Sequence, residues 1–229
     1  MFKKLFFVFY NLVDNLIHQK RIVKFINKKN IKIVLDIGAH KGEFLKHIKK
    51  IETIRKVYSF EPQKKIYQEL LKEIDNKKFF AHNFAFSDSN GSKKLQINDF
   101  TMTSTLSVIN KKSSYYKIKN FIIGYKKEKF ELIKTKTLDS FIKKKKLKKI
   151  DLLKIDTEGH EFQVIKSGLM TLKKTKYLLI EFRKNDLYEN YSSSDLHDMI
   201  KKNKFKLIKI FKFPMFSMED RLYKNKLFK

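Results

Sequence analysis

Cysteine is absent from all 229 residues, which removes disulfides, thiolate metal sites and a cysteine nucleophile together. A reducing, cytoplasmic setting fits that absence. Tryptophan is missing too, and proline and glycine are scarce, at two and six residues. Arginine is scarce in a different sense: only Arg21, Arg55, Arg183 and Arg221 stand among 53 basic residues. Phosphate and base-edge recognition favours the two-pronged arginine fork. The net charge of +29 therefore reads as a solvated lysine coat, and no specific nucleic-acid partner is expected. No apolar run is long enough to cross a bilayer. The run Leu5 to Tyr10 imitates a signal peptide until Asn11, Asp14 and Asn15 interrupt it without a small-residue cleavage site.

What is present is enough to fold. With 42% hydrophobic and 14% aromatic residues, the chain can offset the ordering entropy of a compact state, and its length suits one α/β domain. Residues 1–30 read as a helical extension, because Phe2, Phe6, Phe9, Val13 and Leu16 recur at spacings of four and three. That helix either packs on the domain or makes peripheral membrane contact through residues 1–26, so the expected location is cytoplasmic or membrane-peripheral. From residue 31 to 229, short apolar runs alternate with helical patterns, the signature of a doubly wound, mostly parallel α/β sheet. Strands are expected at Ile31–Asp36, Val57–Phe60, Phe79–Asn83, Ile150–Asp156 and Tyr177–Phe182, with one or two more in Phe205–Phe213. Residues 86–149 lack a clear 3.6-residue period and read as a hairpin-rich insertion, ending in a short helix at Leu138–Ile142 and a basic loop to Lys149. One helix carrying Phe162, Ile165, Leu169 and Leu172 should follow the fourth strand, and Ser194 should cap another over Leu196–Lys202.

Four motifs fall at strand ends. Asp36-Ile37-Gly38-Ala39-His40-Lys41-Gly42 closes the first strand with a carboxylate and turns through two glycines into a helix. Such a turn lets backbone approach a nucleotide-like ligand, while the spacing matches neither a Walker sequence nor Gly-x-Gly-x-x-Gly. Glu61-Pro62 ends the second strand, where a carboxylate can accept both ribose hydroxyls of an adenosine. Ser87 and Asp88 follow the third strand, either as contacts to an adenine edge or as turn chemistry ahead of Asn90-Gly91. Asp156-Thr157-Glu158-Gly159-His160-Glu161 follows the fourth, at the sheet edge where ligands of open α/β sheets sit. His160 in a first helical turn favours the neutral imidazole, a form suited to general-base work. The competing reading of Asp156 and Glu158 is helix capping.

In this order the motifs resemble the FkbM-type methyltransferases, through Asp36, Gly38 and Gly42; Glu61 and Pro62; Ala85, Ser87, Asp88 and Gly91; Thr137, Leu138 and Asp139; and Asp151, Lys154, Asp156, Glu158, Gly159 and Glu161. His40 stands where that pattern carries asparagine. The resemblance spans about residues 31–182 and implies a Rossmann-like, seven-stranded class I methyltransferase sheet. It implies S-adenosyl-L-methionine as cofactor, held by Asp36, Gly38, Ala39, Gly42, Glu61, Pro62, Ser87, Asp88 and Asp156. It also implies methyl transfer to a small-molecule hydroxyl, first a saccharide, otherwise another cell-surface or secondary metabolite. Positioning would supply much of the catalysis. Asp156, His160 and Glu158 are the expected catalytic residues, with Glu181 as an alternative base. No metal is expected, although Asp156 and Glu181 could hold a divalent cation. Thr101, Thr103, Ser104 and Thr105 are expected in the cover over the acceptor. Two rivals stand beside this reading: an RNA acceptor drawn by the basic surface, and a non-catalytic scaffold at a membrane.

Overall fold

In the computed structural model, which describes residues 9, 12–123, 129–213 and 218–229, alternate residues of the central strands leave for opposite faces. Val34 packs on one side and Leu35 on the other; Leu152 and Leu153, then Leu179 and Leu178, divide in the same way. The period-two geometry of a strand thus feeds two cores, and all six side chains are fully buried. Helices cover both faces, as a parallel sheet requires.

Strands β1 (Ile33–Ile37), β2 (Lys56–Phe60), β3 (Phe79–His82), β7 (Ile150–Ile155) and β8 (Thr175–Arg183) run parallel. The hairpin of β9 (Phe205–Lys212) and β10 (Met218–Asn225) closes one edge, with β10 antiparallel to β8. Among the described residues the sheet has seven strands in the order β3-β2-β1-β7-β8-β10-β9. The chain reverses direction between β1 and β7, so their carboxyl ends open a crevice at that point.

The insertion holds a second sheet, in which β5 (Gly91–Ile97) and β6 (Lys129–Lys136) form long antiparallel arms and β4 (Ala85–Phe86) adds in parallel. It also holds a helix, Ser114–Ile123, where none was expected. Its apolar residues do not share an inward face: Ile118 and Phe121 are exposed, while Tyr115 and Tyr116 pack on Ile109, Leu187 and Tyr188. The expected helix after β7 is two, Glu161–Lys166 and Leu169–Lys173. The break falls at Gly168, where an added Cβ would lie 2.6 Å from the Leu138 side chain. The helix Ser193–Lys202 is capped by Ser192 rather than Ser194, its hydroxyl accepting from the Asp195 N–H. The helix Leu138–Lys145 runs on into the expected basic loop.

The N-terminal helix departs most from expectation. Phe2 and Phe6 lie outside the described residues; Val13 is buried, but Phe9 and Leu16 are exposed. The inward residues are Asp14, His18 and Gln19, then Ile22, Val23 and Ile26. Asp14–Gln19 is a π-helical segment that leads into an α-helix at Lys20–Asn27. Its i→i+5 bonding shifts the helical phase, and the side it turns inward is polar because it faces a cavity.

Candidate active site

Glycine is obligatory where β1 meets β7. Gly38 has φ +80°, and a Cβ there would sit 1.8 Å from the Asp156 carbonyl oxygen. Its N–H and that of Ala39 both donate to the Phe60 carbonyl, so one turn locks the ends of three strands together. Beneath it Asp36 is fully buried, and the buried Lys154 Nζ lies 3.3 Å from Asp36 Oδ1 and 3.1 Å from Asp156 Oδ2. Burial pushes the Asp36 pKa up against the opposing pull of Lys154.

Above this floor opens a cavity of about 1060 Å³, the open solvent at its mouth included. Gly38, Glu61, Pro62, Asp156, Glu158 and His160 line it, as do Thr101, Thr103, Ser104 and Thr105 of the insertion. The insertion is laced to the strand ends. The Gln63 side-chain amide donates to the Thr101 carbonyl and accepts from Ser104 Oγ, and Thr105 Oγ1 donates to the Glu158 carbonyl. Glu61 is buried, accepting the His40 N–H on one oxygen and the Gln63 N–H on the other. Burial raises its pKa to about 7.

Other expected residues stand behind the walls. Asp36 is the floor, Ala39 is buried in the turn, and Gly42 caps the following helix Glu43–Ile48 at φ +83°. Ser87 is buried and bonded to His160 Nε2 at 2.9 Å. Asp88 turns outward to Lys93 at 2.6 Å, which, with Ser87 and Ser89 as further donors, draws its pKa down to about 2. His160 is held near pKa 4 by burial and by Lys93, so it is neutral at physiological pH.

Three acidic oxygens, from Asp156, Glu158 and Glu181, lie within 4.8 Å of one another, an arrangement that could hold a metal ion. A cation of the chain already sits on two of them. Arg183 NH2 is 2.6 Å from Glu158 Oε2 and 3.1 Å from Glu181 Oε2, and Tyr188 OH donates to Glu158 at 2.7 Å. Removing one partner from such a buried group leaves charge uncompensated at a cost of about 3–5 kcal/mol. Arg183→Met is accordingly expected to unfold at markedly lower temperature near about pH 8, and to recover part of the loss at about pH 5. The sign follows from Glu181, whose pKa burial already raises despite Arg183. A carboxyl raised in the fold contributes stability at low pH and loses it as pH climbs through its folded pKa. Thermal unfolding of both proteins at the two pH values checks this; equal melting temperatures at the higher pH would refute it.

The N-terminal helix and the β9–β10 hairpin complete the cavity with Asp14, His18, Gln19, Phe213, Glu219 and Asp220. His18 Nε2 lies 2.6 Å from Asp220 Oδ2 across 202 residues of sequence, and its other nitrogen, Nδ1, is buried without a hydrogen bond. Sequence reasoning passed over all six. The available signal was Asp14 and His18, an acid and an imidazole four apart in the same helix.

A parallel sheet with this strand order and an antiparallel penultimate strand, with a glycine turn after β1 and a buried acid after β2, defines a class I methyltransferase. The match to known families is specific: the chain belongs to the family described as Methyltransferase FkbM domain, which covers residues 36–207. It is thus a methyltransferase dependent on S-adenosyl-L-methionine. Among curated proteins it is similar to the 2-O-methyltransferase NoeI of Sinorhizobium fredii, at 26% identity over 176 residues, 74% of this chain and 70% of that one. Among solved structures, the Methanococcus jannaschii fibrillarin pre-rRNA processing protein shares the fold at TM-score 0.52 and 11% identity, over 86% of this chain and 67% of that one. The magnesium protoporphyrin IX methyltransferase of Synechocystis PCC 6803, solved with the cofactor bound, does so at TM-score 0.51 and 9% identity, over 92% and 81%. Acceptors as different as these make the fold silent on substrate.

Proposed function

We propose that this enzyme methylates a hydroxyl of a neutral, polyhydroxylated small molecule, a saccharide before other metabolites. The observation that carries the reading is the lining of the cavity. On a chain of net charge +29, no Lys or Arg lines it among the described residues, whereas Asp14, Glu61, Asp156, Glu158, Glu181, Glu219 and Asp220 all do. Several of these acids are already paired from behind, with Lys154, Arg183, Arg221 or His18, so the wall offers hydroxyls hydrogen-bonding carboxyl groups and offers a phosphate no cation, which suits a polyol better than an RNA backbone. The 2-O-methyltransferase relative supports an oxygen as the methyl acceptor.

The residues fit the cofactor. Gly38 lets β1 and β7 meet at the cavity floor, where a Cβ would strike the Asp156 carbonyl, and Glu61, held by His40 and Gln63 donors, keeps acceptor capacity for ribose hydroxyls. Pro62, Asp156 and the Lys154-bridged Asp36 would complete that side, with Ser87 acting through His160. When bound, S-adenosylmethionine supplies an electrophilic sulfonium methyl group. The carboxylates at its acceptor side favour that cation over the neutral product, which assists exchange. Asp156, with Lys154 on its Oδ2, has its other oxygen to orient the acceptor hydroxyl, while Glu158 is committed to Arg183 and Tyr188. The proton falls to the His18–Asp220 pair, in which Asp220 fixes one imidazole nitrogen and leaves the other as acceptor.

The test is a screen of neutral glycosides, amino sugars, sugar phosphates and RNA with methyl-labelled cofactor. Label is expected in neutral or amino-bearing sugars; transfer confined to RNA or to sugar phosphates would overturn the reading.

A further inference from the structure

The N-terminal helix has two faces of opposite character. Inward, Asp14, His18 and Gln19 are a wall of the cavity. Outward, Phe9, Leu12, Leu16 and Ile17 are 53%, 53%, 57% and 49% exposed. These four stand outward within nine residues of one helix, while Val13 among them turns in against Phe100 and Phe213. Single exposed apolar residues are ordinary, but four so close together on one helix mark a contact surface.

Charge indicates what it contacts. The helix continues with exposed Lys20, Arg21, Lys24 and Lys28, and the chain as a whole carries +29. A protein partner would need a matching acidic surface around an apolar strip, whereas a bilayer containing anionic lipid offers both at once. No described helix is long and apolar enough to cross a membrane, so the helix would lie in the interface.

We infer that this helix docks the enzyme on anionic bilayers, with Phe9, Leu12, Leu16 and Ile17 at the level of the acyl boundary and the basic residues over the headgroups. Its inner face then holds the Asp14–His18–Gln19 wall beside the lipid surface. A hydroxylated acceptor carried on a lipid would meet the cavity there. That last consequence rests on the proposed hydroxyl transfer; the docking does not.

The experiment is flotation of the full chain with phosphatidylcholine vesicles, with and without phosphatidylglycerol. The wild type is expected to float with the anionic vesicles and about tenfold less with the neutral ones. The double variant Leu12→Glu with Leu16→Glu changes exposed positions only, so it should keep its calorimetric affinity for S-adenosylmethionine. Its flotation should fall about tenfold or more. Leu132→Glu, at an exposed apolar position on β6, should float as the wild type does.

Three results would overturn the inference. The first is a wild type that does not float with anionic vesicles. The second is a double variant that floats unchanged, leaving adsorption to the lysine coat alone. The third is a dimer in light scattering that the double variant dissolves without any flotation, which makes the stripe a contact between two copies. Failure of every hydroxylated acceptor in the label screen would instead sink the proposed hydroxyl transfer and leave the flotation result standing.

Discussion

Glu61→Ala is expected to lower the affinity for S-adenosylmethionine by a factor of about 10² to 10⁴, the loss of two hydrogen bonds to a charged acceptor at about 1.5–3 kcal/mol each. The structure puts the reason in the wall itself: a carboxylate buried to 3% is held by the His40 and Gln63 N–H groups at the end of β2. Burial raises its pKa to about 7, so the empty site favours the protonated acid, and the stability Glu61 contributes is lost as pH rises from its unfolded value through 7. Ribose hydroxyls prefer the carboxylate form. Affinity should therefore increase from about pH 6 to about pH 8, and Glu61→Gln, which cannot ionise, should flatten that slope. Isothermal titration across this range measures both effects. A wild-type slope retained in Glu61→Gln would assign the titration to another group.

The strand ends were legible because they combine two constraints that a sequence displays openly. A buried parallel strand must be apolar throughout, and a ligand-facing end must be polar, so IVLDIG and LLKIDTEGH announce themselves. Gly38 was equally visible, since only glycine permits the approach to Asp156. The acid at 61 could be placed by its strand. His18 and Asp220 could not be placed, because they lie 202 residues apart on elements with ordinary local patterns, and only the docking of helix on hairpin brings them together. The facing of the N-terminal stripe stayed open for a related reason. Periodicity reports that a helix has an apolar side, but not whether that side faces protein; here polar residues face inward to finish the cavity, and the apolar ones are left outside.

The same logic separates Asp88 from Glu61. Both are carboxylates just past a strand, yet Asp88 has Lys93 within 2.6 Å at the surface while Glu61 has only N–H donors in a buried wall. A carboxylate already compensated by a cation gains less from a ligand's donors than one held by uncharged donors in a cavity wall.

His18→Asn should lower kcat with the acceptor found by the screen by a factor of about 10² to 10⁴, the usual contribution of a positioned general base, with cofactor affinity unchanged. Hydroxyl attack forms a carbon–oxygen bond as the carbon–sulfur bond breaks and its electron pair stays on sulfur, and the hydroxyl proton must leave. The candidate acceptor is His18 Nδ1, buried without a hydrogen bond on a residue that lines the cavity, because Asp220 holds the opposite nitrogen and would stabilise the imidazolium. Burial acts to lower the His18 pKa, but the hydrogen bond and charge of Asp220, helped by Asp14 and opposed by Arg21, carry it above its ordinary value. The neutral form is the base, so kcat should climb with pH through a value above about 6.5. Asp220→Asn removes the main raising influence and should move that limb to lower pH while reducing kcat less than His18→Asn does. A purely structural pin between helix and hairpin would lower stability in both variants and leave the limb where it was. The pin itself has the opposite pH dependence: a histidine raised in the fold adds stability below about pH 6.5 and loses it as pH rises. The enzyme is thus expected to gain rate and to loosen this helix over the same pH interval, and kcat and thermal unfolding measured side by side across it would show whether one residue governs both.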